Sequence, residues 1–268
     1  MNTRESLNPQ SDLKTDATHS VLESVISGLI EPRQDAPEIY KPTLISNRPG
    51  NLTMHDEISD ALTNSDSFDI SVAFVSPDAI LSLFEDFRSH HANASEQVSR
   101  LITSTKNHFN DPRAFWELLH LQRTAGVDVR VWAGSDSSVS VAQGQPFHPK
   151  GYVFSRRMRN GTPYYDLFVG SSNLTSAALN TQREWNLKVS SLANGELVAQ
   201  VRDEIDSQIA DSKPLTEEWI KQYEEDFKKY APPRRDILKS LEGREIQPNA
   251  MQKEALASLK KLREQGEH

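Results

Sequence analysis

Hydrophobic positions along the chain follow two rhythms, and their order predicts an α/β fold. Val21-Leu22, Val25-Ile26 and Leu29-Ile30 recur at helical spacing until Pro32 ends the pattern. Residues 31–50 carry four prolines and read as an extended connector. Residues 52–63 read as a helix. Phe68-Asp69-Ile70-Ser71-Val72-Ala73-Phe74-Val75 is β-rich and mostly apolar, the pattern of a strand covered on both faces. After Pro77 a helical stripe runs over 78–89 through Ala79, Ile80, Leu83, Phe84 and Phe87. A short strand at 100–104, a helix at 112–124 and a strand at 127–132 follow. Strand–helix–strand–helix–strand with short connections predicts a mostly parallel sheet flanked by helices. Two further strands are expected near 148–154 and 164–169, divided by the polar turn Arg156–Gly161, and another at 185–190. Beyond 195 the chain turns to charged helices, predicted at 195–210, 214–229 and 249–265, with Pro232-Pro233 as a stiff hinge.

Composition narrows the classes. The 268 residues suffice for one large domain, or one domain with appendages. The absence of cysteine removes disulfides, thiolate metal sites and a cysteine nucleophile together. No apolar run approaches the roughly 18 residues of a membrane span, and no signal-peptide pattern opens the chain. A cytoplasmic protein with no membrane partner is expected. The first twenty residues are polar and read as disordered.

The net charge of −8 is unevenly spread. Residues 1–100 carry −9, residues 101–190 carry +4 and residues 191–268 carry −3. A positive middle between acidic flanks suits an anion-handling site.

That middle segment holds the candidate chemistry. It reads Phe147-His148-Pro149-Lys150-Gly151, then Gly170-Ser171-Ser172-Asn173-Leu174-Thr175, then Glu184-Trp185-Asn186. His-x-Lys alone is uninformative, since chance supplies about 0.4 copies in such a chain, but with Gly-Ser-x-Asn nearby the odds fall to about one in a thousand. On a strand, His148 and Lys150 project to the same face. Asn173 follows a glycine-serine turn whose donors converge on an anion. Glu184, an acceptor only, suits the far ring nitrogen of His148, which fixes the tautomer and leaves the near nitrogen to attack. Nucleophile, orienting carboxylate, cation and amide donor make a phosphoryl site that needs no metal.

This set of motifs resembles a half-domain of the phospholipase D superfamily over about residues 50–210, most densely at 147–190. The type is that of the nuclease-like domain found ahead of superfamily 2 helicases and in restriction endonucleases. The resemblance implies a phospholipase D-like α/β fold and a metal-independent phosphodiesterase acting on DNA. His148 would be the nucleophile that forms a phosphohistidine, Lys150 and Asn173 would hold phosphate oxygens, Ser171 would assist them and Glu184 would orient His148. No cofactor is implied for that site. One departure stands out: the superfamily places Asp five residues after the lysine, where this chain has Ser155. The superfamily usually brings two His-x-Lys motifs to one site, the second histidine acting as general acid. With one motif per chain, a homodimer sharing its active site is expected. The alternatives are a catalytically silent module that binds nucleic acid or mediates dimerisation, and a lipid hydrolase, for which no membrane-docking amphipathic stretch is present.

Other residues read more plainly. Arg156, Arg157 and Arg159 either grip a nucleic-acid backbone or decorate a solvated hairpin tip. Trp185 either stacks on a base or, by the usual habit of tryptophan, sits in the core. His90-His91 read as a solvated helix end. Thr103-Ser104-Thr105 end a parallel strand, where open-sheet sites gather, and are placed at the pocket.

The tail from Ile246 to Leu256, with Pro248 and Gln252, is similar to the stretch that precedes the phosphate-binding loop of superfamily 2 helicases. No such loop occurs in the 268 residues. The likeness implies the front of a longer protein whose helicase domain would bring ATP and Mg. The expected organisation is therefore a polar N-terminal segment with a short helix and connector over 1–49, the phosphodiesterase domain over 50–210, a helical linker over 211–245 and the start of a possible helicase domain over 246–268.

Overall fold

The computed structural model describes residues 9–93, 98–105, 108–132 and 147–231. Local chemistry sets most element ends. α1 (Pro9–Leu29) is followed by a single 3-10 turn at Glu38–Tyr40 and by β1 (Thr43–Ile45). α2 (Met54–Thr63) opens on a capping box in which Thr53 accepts from the Asp56 amide and the Asp56 carboxylate accepts from the Thr53 amide. β2 (Ser67–Val72) leads to α3 (Pro77–Ser82), capped by Ser76 with proline in its first turn, and α4 (Phe84–Asn93) follows after a break at Leu83. β3 (Arg100–Thr103), α5 (Pro112–Ala125) and β4 (Asp128–Trp132) come next. α5 is capped by Asp111 and stops at Gly126, whose φ of 64° is the left-handed conformation that favours glycine. β5 (Lys150–Arg157), β6 (Pro163–Gly170), α6 (Ser176–Asn180) and β7 (Asn186–Leu192) form the second half of the sheet. α7 (Glu196–Ala210), β8 (Ser212–Pro214) and α8 (Glu217–Tyr230) close the described chain. α8 has Glu217 and Glu218 in its first turn and Lys228 and Lys229 in its last, the order that complements a helix dipole.

Eight strands make one sheet in the order β1-β7-β6-β5-β2-β3-β4-β8. The α/β class holds, with a sheet that is mixed where a mostly parallel one was expected: β2–β3 and β3–β4 are parallel, and the other neighbours are antiparallel. The reason lies in the connections. β5 and β6 are joined by five residues, long enough for a hairpin and too short for the crossover that a parallel pair requires.

One face of the sheet carries the main core, with Phe68, Ile70, Tyr152, Phe154 and Phe168 packed against α2–α6 and against Ile220 and Tyr223 of α8. The other face carries a smaller cluster, Ala73, Ile102, Phe147 and Val153, beneath Ile205 of α7. The stretch expected to be a linker after residue 210 thus contributes a sheet strand and a core helix as far as Tyr230. Likewise, β1 arises inside the proline-bearing connector, pairing Ile45 with Asn186.

The disordered N-terminus expected from polarity is corrected in part. α1 begins at Pro9, and Ala17 is buried against Met158 and Tyr164. Ser24, two turns on, donates to the carbonyl of Pro37 at 2.8 Å. Val21 packs against the same cluster, so the helix docks through the small residues Ala17 and Ser24 together with the start of its apolar stripe. The helix expected at 249–265, the Pro232-Pro233 hinge and the helicase-like tail lie outside the described residues.

Candidate functional site

β2, β3, β4 and β6 end, and β5 and β7 begin, along one edge of the molecule. The candidate residues gather there. The antiparallel register places Lys150 opposite Val72 on one side. On the other side, Gly151 pairs with Val169, so Lys150 stands next to Gly170, which itself pairs with Asn186.

Phe74 is the hub. The chain leaving β2 is pinned at Ala73, whose amide donates to the Pro149 carbonyl at 3.1 Å. Its carbonyl accepts from Thr103 Oγ1 at 3.3 Å, Ser104 Oγ at 2.9 Å and Asn110 Nδ2 at 3.2 Å. The next amide, that of Phe74, donates to Asn173 Oδ1 at 3.2 Å, and the Phe74 carbonyl accepts from the Leu174 amide at 3.1 Å. An amide hydrogen requires an acceptor, so this bond fixes which end of the Asn173 carboxamide is oxygen, and the NH2 end remains for a ligand. The Phe74 ring meets the His148 ring edge-on, with centroids 5.6 Å apart. Asn173 and His148 therefore flank one residue.

His148 and Lys150 touch. Lys150 Nζ lies 2.7 Å from Nδ1 and 3.1 Å from Nε2 of the His148 ring, and donates to the His148 carbonyl at 3.1 Å. Lysine carries only donors, so the ring nitrogen that receives it presents a lone pair.

The Gly-Ser-Ser-Asn turn is held from below. Ser172 is buried; its amide donates to Asn186 Oδ1 at 3.1 Å, and Asn186 Nδ2 donates to Ser172 Oγ at 2.8 Å. Its carbonyl accepts from the Tyr152 hydroxyl at 3.1 Å. Burial, and after it the nearby Glu184 carboxylate, pushes that phenol's pKa upward, so it stays a donor. Ser171 is exposed on top. Its hydroxyl donates to Glu184 Oε2 and accepts from the Trp185 amide at 3.0 Å, while its own amide donates to the Trp185 carbonyl at 3.1 Å.

The five expected site residues thus fall into three linked pieces at one sheet edge. His148 contacts Lys150, Ser171 contacts Glu184, and Asn173 is joined to His148 through Phe74. The partner that the structure gives the Glu184 carboxylate is Ser171. Ser155, at the departure from the superfamily pattern, is buried mid-strand opposite Ser67 and Tyr165, five residues and about 17 Å along β5 from Lys150. A side chain there cannot reach the cluster.

Several readings are corrected. Arg156 is neither a solvated tip residue nor a backbone grip: it is 7% exposed and its Nη1 lies 3.0 Å from the fully buried Asp166 and 3.3 Å from Asp60. β5 runs on to Arg157, so the turn begins later than polarity suggested, and Arg157 pairs with Asp66 at 2.8 Å. His90 is buried under Phe68, with Ser65 and Ser99 hydroxyls at its two ring nitrogens, because α4 extends to Asn93 and carries it over the core. Thr103 and Ser104 are buried and hold the Ala73 carbonyl instead of lining a pocket. Trp185, expected in the core, is 72% exposed.

Sequence reasoning missed Phe74, Asn110 and Asn186 as parts of the site. Asn186 stood in the Glu-Trp-Asn motif, and a buried asparagine at a strand start is a signal for a turn clamp. Phe74 carried none beyond its place at the end of an apolar strand. Among the described residues no three His, Cys, Asp or Glu side chains form a metal-holding group, and no helix is long and apolar enough to cross a membrane.

Comparison with known proteins gives one family and several distant structures. Residues 56–209 match a family model described as cardiolipin synthase, PLD-like domain. Among solved structures the chain is similar to NucT from Helicobacter pylori, at 13% identity and a TM-score of 0.47, covering 65% of this chain and 98% of that one. It is similar to a phospholipase D family member, Nuc from Salmonella typhimurium, at 12% identity and a TM-score of 0.45, with the same coverage. It also matches polyphosphate kinase from Porphyromonas gingivalis at 14% identity and a TM-score of 0.44, over 66% of this chain and 27% of that one. Among curated proteins none matches in sequence.

Proposed function

The chain belongs to the phospholipase D-like family, and from the site at its sheet edge we propose that it is a phosphodiesterase that cleaves DNA through a phosphohistidine, working as a homodimer. The observation that carries this reading is the contact between Lys150 Nζ and the His148 ring at 2.7 Å. An ammonium held against an imidazole is a cation and a lone pair waiting for the same phosphate. When a diester enters, the ammonium turns to a non-bridging oxygen and releases the ring nitrogen. The Asn173 NH2 supplies a further donor, placed before the reaction begins, and the Ser171 hydroxyl supplies another once Glu184 releases it.

The proposed step balances within the chain's own groups. The ring-nitrogen lone pair of His148 forms an N–P bond, and the bond from phosphorus to the leaving sugar oxygen breaks. That oxygen takes a proton from a general acid, supplied by His148 of a second copy. Water then attacks phosphorus, the N–P bond breaks, and the second histidine recovers a proton. The sum is diester plus water to monoester plus alcohol. Glu184 holds the Ser171 hydroxyl in the resting site; in the loaded site it is proposed to take the far ring N–H of His148. The isologous pairing brings the second histidine without a second motif in the sequence.

The helicase-like tail supports a role as the nuclease module of a helicase or restriction-type enzyme. The test is direct. His148→Ala is expected to lose hydrolysis of bis(4-nitrophenyl) phosphate and of a DNA oligonucleotide by at least about 10³-fold, while wild type keeps its activity in excess chelator. A labelled diester quenched during turnover should leave label on the protein in acid-labile, base-stable form. Full activity of His148→Ala refutes the reading. A protein that binds DNA and dimerises but hydrolyses neither substrate is the silent module instead.

A further inference from the structure

Two large rings stand open to solvent on opposite sides of the proposed phosphate site. Trp185, 72% exposed, lies one residue from Glu184, and its backbone bonds Ser171 in both directions. Phe109, 60% exposed, packs edge-on against Phe74 at 5.5 Å, and Phe74 packs edge-on against His148 at 5.6 Å. Both positions are held firmly. The Trp185 backbone is tied to Ser171, and Phe109 precedes Asn110, which is buried and bonds the amide of Val75 at 2.9 Å and the carbonyl of Ser104 at 2.6 Å. Single exposed apolar side chains are ordinary on a protein surface, and these two are informative because both adjoin the anion-seeking groups of one proposed site.

An occupant must also satisfy the groups between the rings. These are a lysine ammonium, a histidine, an asparagine amide and a serine hydroxyl that the Glu184 carboxylate holds, a set in which donors to an anion outnumber the one acidic group. Trp185 precedes β7, and Phe109 packs on Phe74, which follows β2, three strand positions from β7 in the sheet. At about 4.8 Å per position, that is room for several nucleotides along the edge. We propose that Trp185 and Phe109 are stacking platforms for bases on either side of the scissile phosphate, and that the substrate is therefore single-stranded. The inference rests on the phosphodiesterase reading and adds its substrate class. In a duplex each base has both faces covered by its neighbours, so a protein ring can stack only on a base that is unpaired or splayed. Stacking does not read sequence, since every base has a π face, so cleavage is expected to be sequence-tolerant.

The test uses the full chain and steady-state cleavage of three substrates of equal length: a single-stranded oligonucleotide, the same strand in a duplex, and a strand with abasic positions flanking the cleaved bond. On the single strand, Trp185→Ala and Phe109→Ala should each raise KM about tenfold, with kcat within about twofold. Trp185→Phe should restore KM, while Trp185→Leu, which keeps apolar bulk but no π face, should not. On the abasic strand the wild type should fall to the KM of the alanine variants, and the duplex should be a poorer substrate than the single strand. Unchanged KM in the alanine variants on the intact strand overturns stacking and leaves the phosphodiesterase reading standing, provided the wild type hydrolyses bis(4-nitrophenyl) phosphate. Failure of the wild type on that small diester overturns the underlying reading itself. A Trp185→Ala variant with unchanged KM and a shifted monomer–dimer equilibrium assigns the ring to a second copy and overturns the proposal.

Discussion

The carboxamide of Asn186 grips Ser172 twice, accepting from its amide at 3.1 Å and donating to its hydroxyl at 2.8 Å, with both residues buried. This clamp decides where Ser171 and Asn173 stand, because they flank the gripped residue. Asn186→Ala leaves a buried amide and hydroxyl without that partner, and is expected to cost about 2 kcal/mol of unfolding free energy. Activity on a small diester should fall further than the stability loss alone would give, because both donors lose their fixed positions. Urea unfolding and kcat on the same preparation check the two together; a variant that keeps wild-type kcat would show that the clamp does not position the site.

The same register makes Gly170 irreplaceable. A Cβ there would stand 2.1 Å from the Trp185 carbonyl oxygen and 2.6 Å from the Asn186 Cα, both backbone atoms with no freedom to swing aside. Gly170→Ala is expected to cost more than about 2 kcal/mol, in the range of severe packing faults, and to separate β6 from β7 at the site end. Thermal unfolding and amide exchange at Ser171 and Asn186 report it. Unchanged protection at those amides would mean that the strands move apart without cost.

Much of this edge was legible in the chain, and what was hidden shares one physical cause. The apolar run from Phe68 and the helix over 112–124 are decided by residues near one another, so pattern alone finds them, although β2 ends at Val72 and leaves Phe74 and Val75 beyond the strand. The His148–Lys150 contact was legible from their spacing, although the strand expected to carry both begins only at Lys150 and leaves His148 just ahead of it. β1 and β8 were not: three residues each, one in a proline-bearing stretch and one ending on Pro214, they are strands because β7 and β4 offer edges to pair with. Burial misled where a single residue type was judged by its habit. Trp185 is exposed because the Ser171 backbone ties it at the edge, and Arg156 is buried because the polar turn starts only after β5 has carried it over α2. The serine partner of Glu184 lies thirteen residues away across a turn, a distance at which no spacing rule operates.

Lys150 is assigned the charge of the transition state, and its loss should be read in kcat. Lys150→Met keeps the apolar stem and removes the ammonium. A drop of about 10²–10³-fold in kcat on bis(4-nitrophenyl) phosphate is expected, with KM changed far less, as for removal of one fixed donor to a developing oxyanion. Lys150→Arg should recover little, because a planar fork cannot occupy the point where one ammonium meets both ring nitrogens within 3.1 Å. Wild-type kcat in Lys150→Met would remove the lysine from the mechanism.

Alkaline stability offers a test that is independent of catalysis. Tyr164 is buried, and burial first, then the Asp166 carboxylate, pushes its hydroxyl up to about 12. A tyrosine in the unfolded chain titrates near about 10. Below pH 10 both states hold the proton and the contribution is complete. Between about 10 and 12 the unfolded chain releases a proton that the folded one keeps, so stability falls as pH rises. Tyr152 and Tyr223 are shifted in the same direction, with burial the larger cause in each. Denaturant midpoints across that window should fall steadily for wild type and less steeply for Tyr164→Phe; equal slopes would mean that Tyr164 titrates as it does in the unfolded chain.

Beside that tyrosine lies the one ion pair in the described residues whose two members are both nearly sealed from water, Arg156 and Asp166. Asp166 is satisfied on both oxygens, with Arg156 Nη1 at 3.0 Å and Ser190 Oγ at 2.5 Å, and the guanidinium reaches Asp60 and lies 6.0 Å from the centre of the Tyr164 ring. The charges were desolvated when α1 and α2 closed over the sheet, so the pair's net worth is small while the worth of either partner alone is negative. Asp166→Ala is therefore expected to destabilise by about 3–5 kcal/mol, because a buried guanidinium is left with only the more exposed Asp60. Arg156→Met combined with Asp166→Leu removes both charges and should recover most of that loss. The cluster sits at the far end of β5 from Lys150, so kcat per folded molecule should stay at the wild-type value in the double variant. A double variant no more stable than Asp166→Ala would show that the pair contributes a large net attraction, and that the docking of α1 depends on charge more than on the Ala17 and Tyr164 contact.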